Sequence, residues 1–289
     1  MCDNNDLTLR ELWHKGRERL EQNGVPDADF DALCLMEHFF GADRTALILH
    51  GDRRAGGEAC RRFFSAVGQR AQGRPLQYII GMWNFMGFDF YVGDGVLIPR
   101  ADTEIAADKA VELACRFDSP RVIDLCSGSG AIAVTIAKLV PGADVTALEL
   151  SDTAFEYLCK NISHNNTDNV TAVKGDVLRD HEKFPDGSFD MIVSNPPYIR
   201  TEQIDTLQRE LSFEPRLALD GGADGLYFYK AITEKWRSKL RPGGVLVYET
   251  GEDQHEPVCA HMKECGFVDT GFVLDLQGYK RVTYGFVEI

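Results

Sequence analysis

The chain has 289 residues, 44% hydrophobic and 26% charged, a balance that fits one large or two moderate globular domains with a sizeable core. Its formal net charge of −14 argues against a surface that grips duplex DNA or long RNA through phosphates. No apolar stretch is long enough to span a bilayer, and the eight cysteines include no Cys-x-x-Cys pair and no secretory leader, so a reducing cytosol is expected.

Most of the cysteines are expected to be small buried hydrophobes. The seven histidines show no metal-ligand spacing, so no metal site is expected, and His255 and His261 read as solvent-facing helix positions. The charge is uneven. Residues 1–75 carry 11 basic and 12 acidic side chains, the remainder 20 and 33, which suits a basic protein partner for the acidic part.

Residues 7–72 read as a helical module. Leu9, Leu12, Trp13 and Leu20 repeat at helical spacing, as do Leu33, Met36, Phe39 and Phe40, and then Cys60, Phe63, Phe64 and Val67. The expected division is a helical domain over 1–74, a linker and β-hairpin over 75–100, and a catalytic domain over 101–289. Arg100, at the end of the hairpin segment, reads as a surface ion pair with Asp102 or Glu104.

The catalytic part opens with a strand, turn and helix. Val122-Ile123-Asp124-Leu125 is a short apolar run, Cys126-Ser127-Gly128-Ser129-Gly130 a small-residue turn, and Ala131–Lys138 an amphipathic helix. The turn has neither the Gly-Lys-Ser/Thr end of a P-loop nor a GxGxxG fingerprint. The next strand, 144–149, ends in Glu149 about twenty residues on, where an acid grips ribose hydroxyls in a doubly wound sheet. A third strand, 170–173, leads to Asp176, which can meet an adenine amino group, and Val177, which can pack on the ring.

The apolar run Met191–Ser194 leads into Asn195-Pro196-Pro197-Tyr198. An amide or aromatic-amine nitrogen attacks an electrophilic methyl poorly, because its lone pair is delocalised. The Asn195 side-chain carbonyl and the Pro196 backbone carbonyl can each accept one N–H of such a group, the prolines stiffen the loop, and Tyr198 offers a flat face. These residues are built to methylate a planar nitrogen. Beyond them, 201–223 is a polar loop region. Helices over 225–240 and 254–265, a strand over 245–249 and an antiparallel pair near 267–275 and 279–287 finish a sheet of seven strands, mostly parallel with one reversed.

The ordered set resembles the Rossmann-like S-adenosylmethionine-dependent methyltransferases, and within them the release-factor glutamine methyltransferases. It includes Pro75–Gly81, Phe85–Phe90, Val96–Glu104, the glycine loop, Phe189–Ile199, Glu214–Leu219, Gly221–Leu226 and Glu249–Gly251. The resemblance implies an α/β fold, a seven-stranded mostly parallel methyltransferase sheet with a small N-terminal helical domain that adds a contact surface for a large substrate. It implies methylation of the side-chain amide of the glutamine in the Gly-Gly-Gln motif of class 1 peptide chain release factors, in the cytoplasm. Asn195, Pro196, Pro197 and Tyr198 would bind that amide. Asp124, Cys126, Ser127, Gly128, Ser129 and Gly130 would form the methionine end of the cofactor site, Glu149 would take the ribose, and Asp176 with Val177 the adenine. Asn195 would touch both cofactor and substrate.

The family loop usually reads Asp-Leu-Gly-Thr-Gly-Ser-Gly, so Cys126 and Ser127 replace its first glycine and threonine, and Cys126 is expected at a negative φ. Glu149 stands where Asp is commoner, and Val177 where an aromatic is common. The nearest alternative is the sister family that methylates a glutamine of a ribosomal protein, favoured by the Asp124–Gly128 loop and disfavoured by Pro99–Glu104. An adenine or cytosine N-methyltransferase would need an extruded base and a cationic track that the charge disfavours. A non-catalytic scaffold has no physical need for Asn195-Pro196-Pro197-Tyr198.

Overall fold

The structure is a computed structural model, described here over residues 7–289. The first six residues of the expected helical domain, Cys2 among them, lie outside the described residues. The chain divides into two compact units: one runs to Gly81 and takes in Gln208–Phe213, and the other comprises Met82–Leu207 and Glu214–Ile289.

The first unit holds α1 (Leu9–Gln22), α2 (Ala28–Phe40), α3 (Arg44–His50), α4 (Gly57–Ala71) and the short α5 (Leu76–Ile80). Thr8 and Glu11 form a reciprocal capping box that starts α1. Of the residues at helical spacing, Leu9, Leu12, Leu20, Met36, Cys60, Phe63 and Val67 are buried, whereas Trp13, Leu33, Phe39, Phe40 and Phe64 are half-buried and Leu35 takes the core position beside Met36. One buried ion-pair group stands among them. The Arg70 guanidinium meets Asp31 at 2.5 Å and Glu210 at 2.5 Å, which fixes Gln208–Phe213 to this unit.

The second unit opens with a hairpin, β1 (Met82–Phe85) and β2 (Phe88–Tyr91), closed by Met86 and Gly87. Both turn residues have positive φ, 52° and 81°, as a two-residue type I′ connection requires. Then follow α6 (Ala101–Ala114), β3 (Arg121–Leu125), α7 (Ala131–Leu139), β4 (Asp144–Glu149), α8 (Asp152–His164), β5 (Val170–Lys174) and β6 (Phe189–Ser194). Short 3₁₀ turns fill 201–218, where a polar loop is expected. The unit ends with α9 (Tyr227–Trp236), β7 (Leu240–Glu249), α10 (His255–Glu264), β8 (Phe267–Leu274) and β9 (Lys280–Val287).

The seven strands lie in the order β5-β4-β3-β6-β7-β9-β8, all parallel except β9, which is antiparallel to both neighbours. Alternate residues of the central strands feed two cores, one on each face. Val122, Met191 and Val245 pack with α6 and α7 on one side, while Ile123, Ile192 and Leu246 pack with Tyr229, Trp236 and Met262 on the other. These near-continuous apolar strands are what a parallel sheet covered on both faces demands.

Two expectations about side chains are corrected. His255 is buried, not solvent-facing, with Nδ1 2.8 Å from Thr283 Oγ1; the α10 periodicity alone does not reveal that β9 packs over its first turn. Of the seven described cysteines, all free, only Cys60 is fully buried; Cys115, at the end of α6, and Cys159, within α8, are exposed.

Candidate active site

β3 and β6 are neighbours at the centre of the sheet, yet the chain passes through β4 and β5 between them. The order of strands therefore reverses at this pair, and a crevice opens beyond its carboxyl ends. The turn from Cys126 follows β3 and the tetrapeptide from Asn195 follows β6. A solvent-open cleft of about 900 Å³ is lined there by Cys126, Gly128, Glu149, Asp176, Val177, Asn195 and Pro197, together with Leu97, Leu217 and Phe228.

The glycine loop is wound more tightly than the sequence suggests. Cys126 has φ +61°, against the expected negative value, and Gly128 and Gly130 follow at +55° and +83°. The cause lies in how Ser127 is held: its backbone N–H donates to Leu148 O at 3.1 Å, and its hydroxyl donates to Asp124 O at 2.7 Å. A chain that turns back this sharply after β3 leaves residue 126 in the left-handed region, a conformation that costs a side-chain-bearing residue about 1 kcal/mol. Gly130 is fixed by space as well, since a Cβ there would stand 2.5 Å from Leu158 Cδ1.

Ser127, Ser129 and Gly130 support the loop from beneath and are not among the residues lining the cleft. Ser129 O accepts from Asn161 Nδ2 at 2.9 Å. Asp124 is buried at the end of β3; its Oδ2 accepts from Ala133 N at 3.2 Å, whereas Oδ1 has no hydrogen-bond partner among the described residues. Burial, opposed by the Ala133 N–H and reinforced by the charge of Glu149, pushes its carboxyl up to about 8.

Glu149, ending β4, accepts from Gly128 N at 2.8 Å through one oxygen and from Ser151 N at 2.7 Å through the other. Each oxygen keeps a second lone pair for a hydroxyl. Asp176 accepts from Leu178 N at 2.9 Å and lies 3.4 Å from Arg179 Nε. Val177 lines the cleft and joins the core on the Trp236 face, and its carbonyl accepts from Trp236 Nε1 at 2.8 Å.

Pro196 and Pro197 are buried, and Asn195 and Tyr198 half-buried. Gln254 Nε2 donates to Tyr198 O at 2.8 Å, and strand-like bonds from Ile199 N to Leu219 O and from Gly221 N to Ile199 O hold 219–221 against the tetrapeptide. Gly221 allows that approach: a Cβ there would fall 2.8 Å from Pro197 O. Asn195 Nδ2 donates to Thr103 Oγ1 at 3.3 Å, and Tyr198 OH donates to Glu249 Oε1 at 3.3 Å.

Thr103, Glu249 and Glu214 carry weight here and were legible only as members of the ordered motif set. Glu249 is 1% exposed at the end of β7. Its Oε2 has no hydrogen-bond partner among the described residues, and burial raises its carboxyl to about 7, against the pull of Thr103 and Arg281. Arg100 pairs with neither Asp102 nor Glu104. Its guanidinium meets the buried Glu214 carboxylate, which also accepts from Ile98 N at 3.0 Å. Asp102 instead lies 3.3 Å from Arg281, because the first turn of α6 faces β9. Among the described residues no cluster of His, Cys, Asp and Glu is placed to hold a metal.

Residues 11–81 match the family described as the PrmC N-terminal domain, and residues 108–222 the methyltransferase small domain. A release factor glutamine methyltransferase of Geobacter sulfurreducens is 38% identical over 279 residues, covering 96% of each chain. One of Clostridium botulinum is 34% identical over 278 residues, covering 96% of this chain and 98% of its own. The fold is shared with a methyltransferase from Pyrococcus furiosus, 20% identical, with a TM-score of 0.52 over 71% of this chain and 91% of that one. With the tetrapeptide and the glycine loop on neighbouring strands and near-full-length kinship to these relatives, the chain belongs to the release factor glutamine methyltransferase family.

Proposed function

We propose that this protein transfers a methyl group from S-adenosylmethionine to the side-chain amide nitrogen of the Gly-Gly-Gln glutamine of class 1 peptide chain release factors. The observation that carries the reading is that Asn195 and Pro197 line the same cleft as Cys126, Gly128, Glu149, Asp176 and Val177. A group held at the tetrapeptide and a ligand held along the strand ends therefore share one space.

The residues present fit the cofactor. Its ammonium and sulfonium are cationic, and Asp124, Glu149 and Asp176 supply acids at the strand ends, with one Asp124 oxygen unpartnered. Asp124 and Glu149 with the Gly128 region would hold the methionine and ribose parts, and Asp176 with Val177 the adenine. When bound, S-adenosylmethionine supplies an electrophilic methyl.

The chain's own residues do the rest. With its Nδ2 committed to Thr103, Asn195 presents Oδ1 as an acceptor for one amide N–H, and Pro196 O accepts the other. The amide is thereby turned in plane and its electron density drawn toward nitrogen, and Tyr198 offers its ring face. Orientation and proximity supply most of the rate.

The acidic surface suits a basic release factor and disfavours a nucleic-acid acceptor. A cytoplasmic setting agrees with the seven free thiols of the described residues, among which no helix is long and apolar enough to cross a membrane. The test offers three acceptors side by side with the purified chain: a release factor, a glutamine-bearing large-subunit ribosomal protein, and single-stranded DNA. Mass spectrometry is expected to find one added methyl on the release-factor glutamine alone. A methyl on either other acceptor, with none on the release factor, would overturn the reading.

A further inference from the structure

Two hydrogen-bonded side chains of the tetrapeptide lead to one buried carboxyl. Tyr198 OH donates directly to Glu249 Oε1. Asn195 Nδ2 donates to Thr103 Oγ1, and the Thr103 hydroxyl in turn faces the Glu249 carboxyl. A threonine hydroxyl that accepts from Asn195 has its own hydrogen free for an acceptor beyond it. Glu249 itself is fixed from behind, where Tyr229 OH donates to its backbone carbonyl at 2.9 Å.

We infer that Glu249 is a positioning residue for methyl transfer, the shared acceptor that keeps Asn195 Oδ1 turned toward the substrate amide through Thr103 and holds the Tyr198 ring directly. The inference rests on the functional reading above and adds to it the device that chooses between the two faces of the Asn195 amide. Without an acceptor behind Thr103, that side chain has no reason to present its oxygen rather than its NH2, and an NH2 turned to the substrate would repel the N–H bonds it must accept.

The role belongs to the carboxylate form. With Oε1 taken by Tyr198, Oε2 is the oxygen left to accept from the Thr103 hydroxyl, and a proton there would remove it as an acceptor. The groups facing it are Asp102 and Thr103 on α6, Tyr198 after β6, Tyr229 on α9 and Arg281 on β9, itself paired with Asp275. Burial outweighs Arg281, so the carboxyl titrates at about 7 in the free enzyme. Since kcat/KM reports groups of the free enzyme, it should fall on the acid side of neutrality.

The experiment compares wild type, Glu249→Gln, Thr103→Val and Thr103→Ser in methyl transfer to a release factor across pH, with cofactor affinity measured separately by calorimetry. Infrared difference spectra, with Glu249→Gln as reference, read the carboxyl of the free enzyme directly. Glu249→Gln is expected to bind cofactor as wild type does, to lose about 10²-fold in kcat, the scale of a misaligned reacting group, and to lose the acid limb. Thr103→Val should lose a comparable factor and Thr103→Ser should recover it. A Glu249→Gln enzyme within about threefold of wild type, or one that keeps the acid limb, would overturn the inference. If that variant does not fold, Thr103→Val decides: full activity overturns the inference, and loss rescued by serine supports it. No transfer by wild type would overturn the functional reading and this inference together, whereas active wild type with unaffected variants overturns the inference alone.

Discussion

Asn195 Nδ2 and Thr103 Oγ1 lie 3.3 Å apart, so a residue at the start of α6 sets the orientation of an amide that ends β6. The acceptor face of Asn195 is thereby prepared before substrate arrives. Asn195→Ala should lower kcat by about 10²-fold or more, as expected for removing one preorganised polar contact, while leaving cofactor affinity within a few-fold. Single-turnover kinetics with a release factor would check it; near-wild-type turnover would sink the mechanism.

Cys126 at φ +61° occupies a conformation that glycine adopts freely. Cys126→Gly should therefore stabilise the fold by up to about 1 kcal/mol, less whatever the thiol contributes by packing at the edge of the Leu125 and Leu148 cluster. Urea unfolding would measure it. A clear loss of stability would mean that packing, not backbone strain, dominates at this position.

Asp124 gives the fold a distinctive pH dependence. Its native pKa of about 8 lies above the ordinary carboxyl value, so between about pH 4 and 8 the native state holds a proton that the unfolded chain releases. The contribution of this group to stability therefore falls as pH rises through that window, and the difference between wild type and Asp124→Asn should show the slope. Cofactor binding runs the other way: a cation favours the ionised carboxyl, so the cofactor Kd should drop with rising pH, by at most about tenfold per unit below pH 8. Denaturation and calorimetry at pH 6 and 8 would test both signs.

Arg100 and Glu214 join the exit of the hairpin segment to Pro215–Ala218, residues of which line the cleft. Arg100→Ala strands a carboxylate whose side chain is 1% exposed. Because the arginine itself is partly exposed, the cost should be about 2 kcal/mol, below that of breaking a fully buried pair, with a weakened cofactor site as companion. Thermal unfolding and cofactor titration would check it. In the first unit Arg70→Ala should cost more, about 3 kcal/mol, because Asp31 is left with no cation in the buried interior.

The sheet was legible because its strands are short apolar runs punctuated by turn residues, and a parallel sheet buried on both faces needs that pattern. Leu9, Leu12 and Leu20 marked the first helical core for the same reason: local periodicity records local burial. Asn195, Pro197 and the acids at 149 and 176 were legible because strand ends place them in one crevice whatever the loops do, whereas Pro196 and Tyr198 do not line it. Cys126 was misread because a backbone angle is set by what Ser127 bonds across the sheet, at Leu148, and not by its own side chain. The partners of Arg100 and the role of Glu249 were hidden by sequence distance, since 114 residues separate Arg100 from Glu214 and 51 separate Tyr198 from Glu249. His255 followed the same rule, its burial decided by a strand that comes later in the chain.

The most direct measurement is transfer of labelled methyl from S-adenosylmethionine to a purified release factor, beside a copy whose Gly-Gly-Gln glutamine is changed and beside the Asn195→Ala enzyme. Label is expected on the intact factor, none on the changed copy, and a transfer rate lower by about 10²-fold with Asn195→Ala. Equal label on the changed copy, or no label on the intact factor while cofactor binding is intact, would contradict the proposed function.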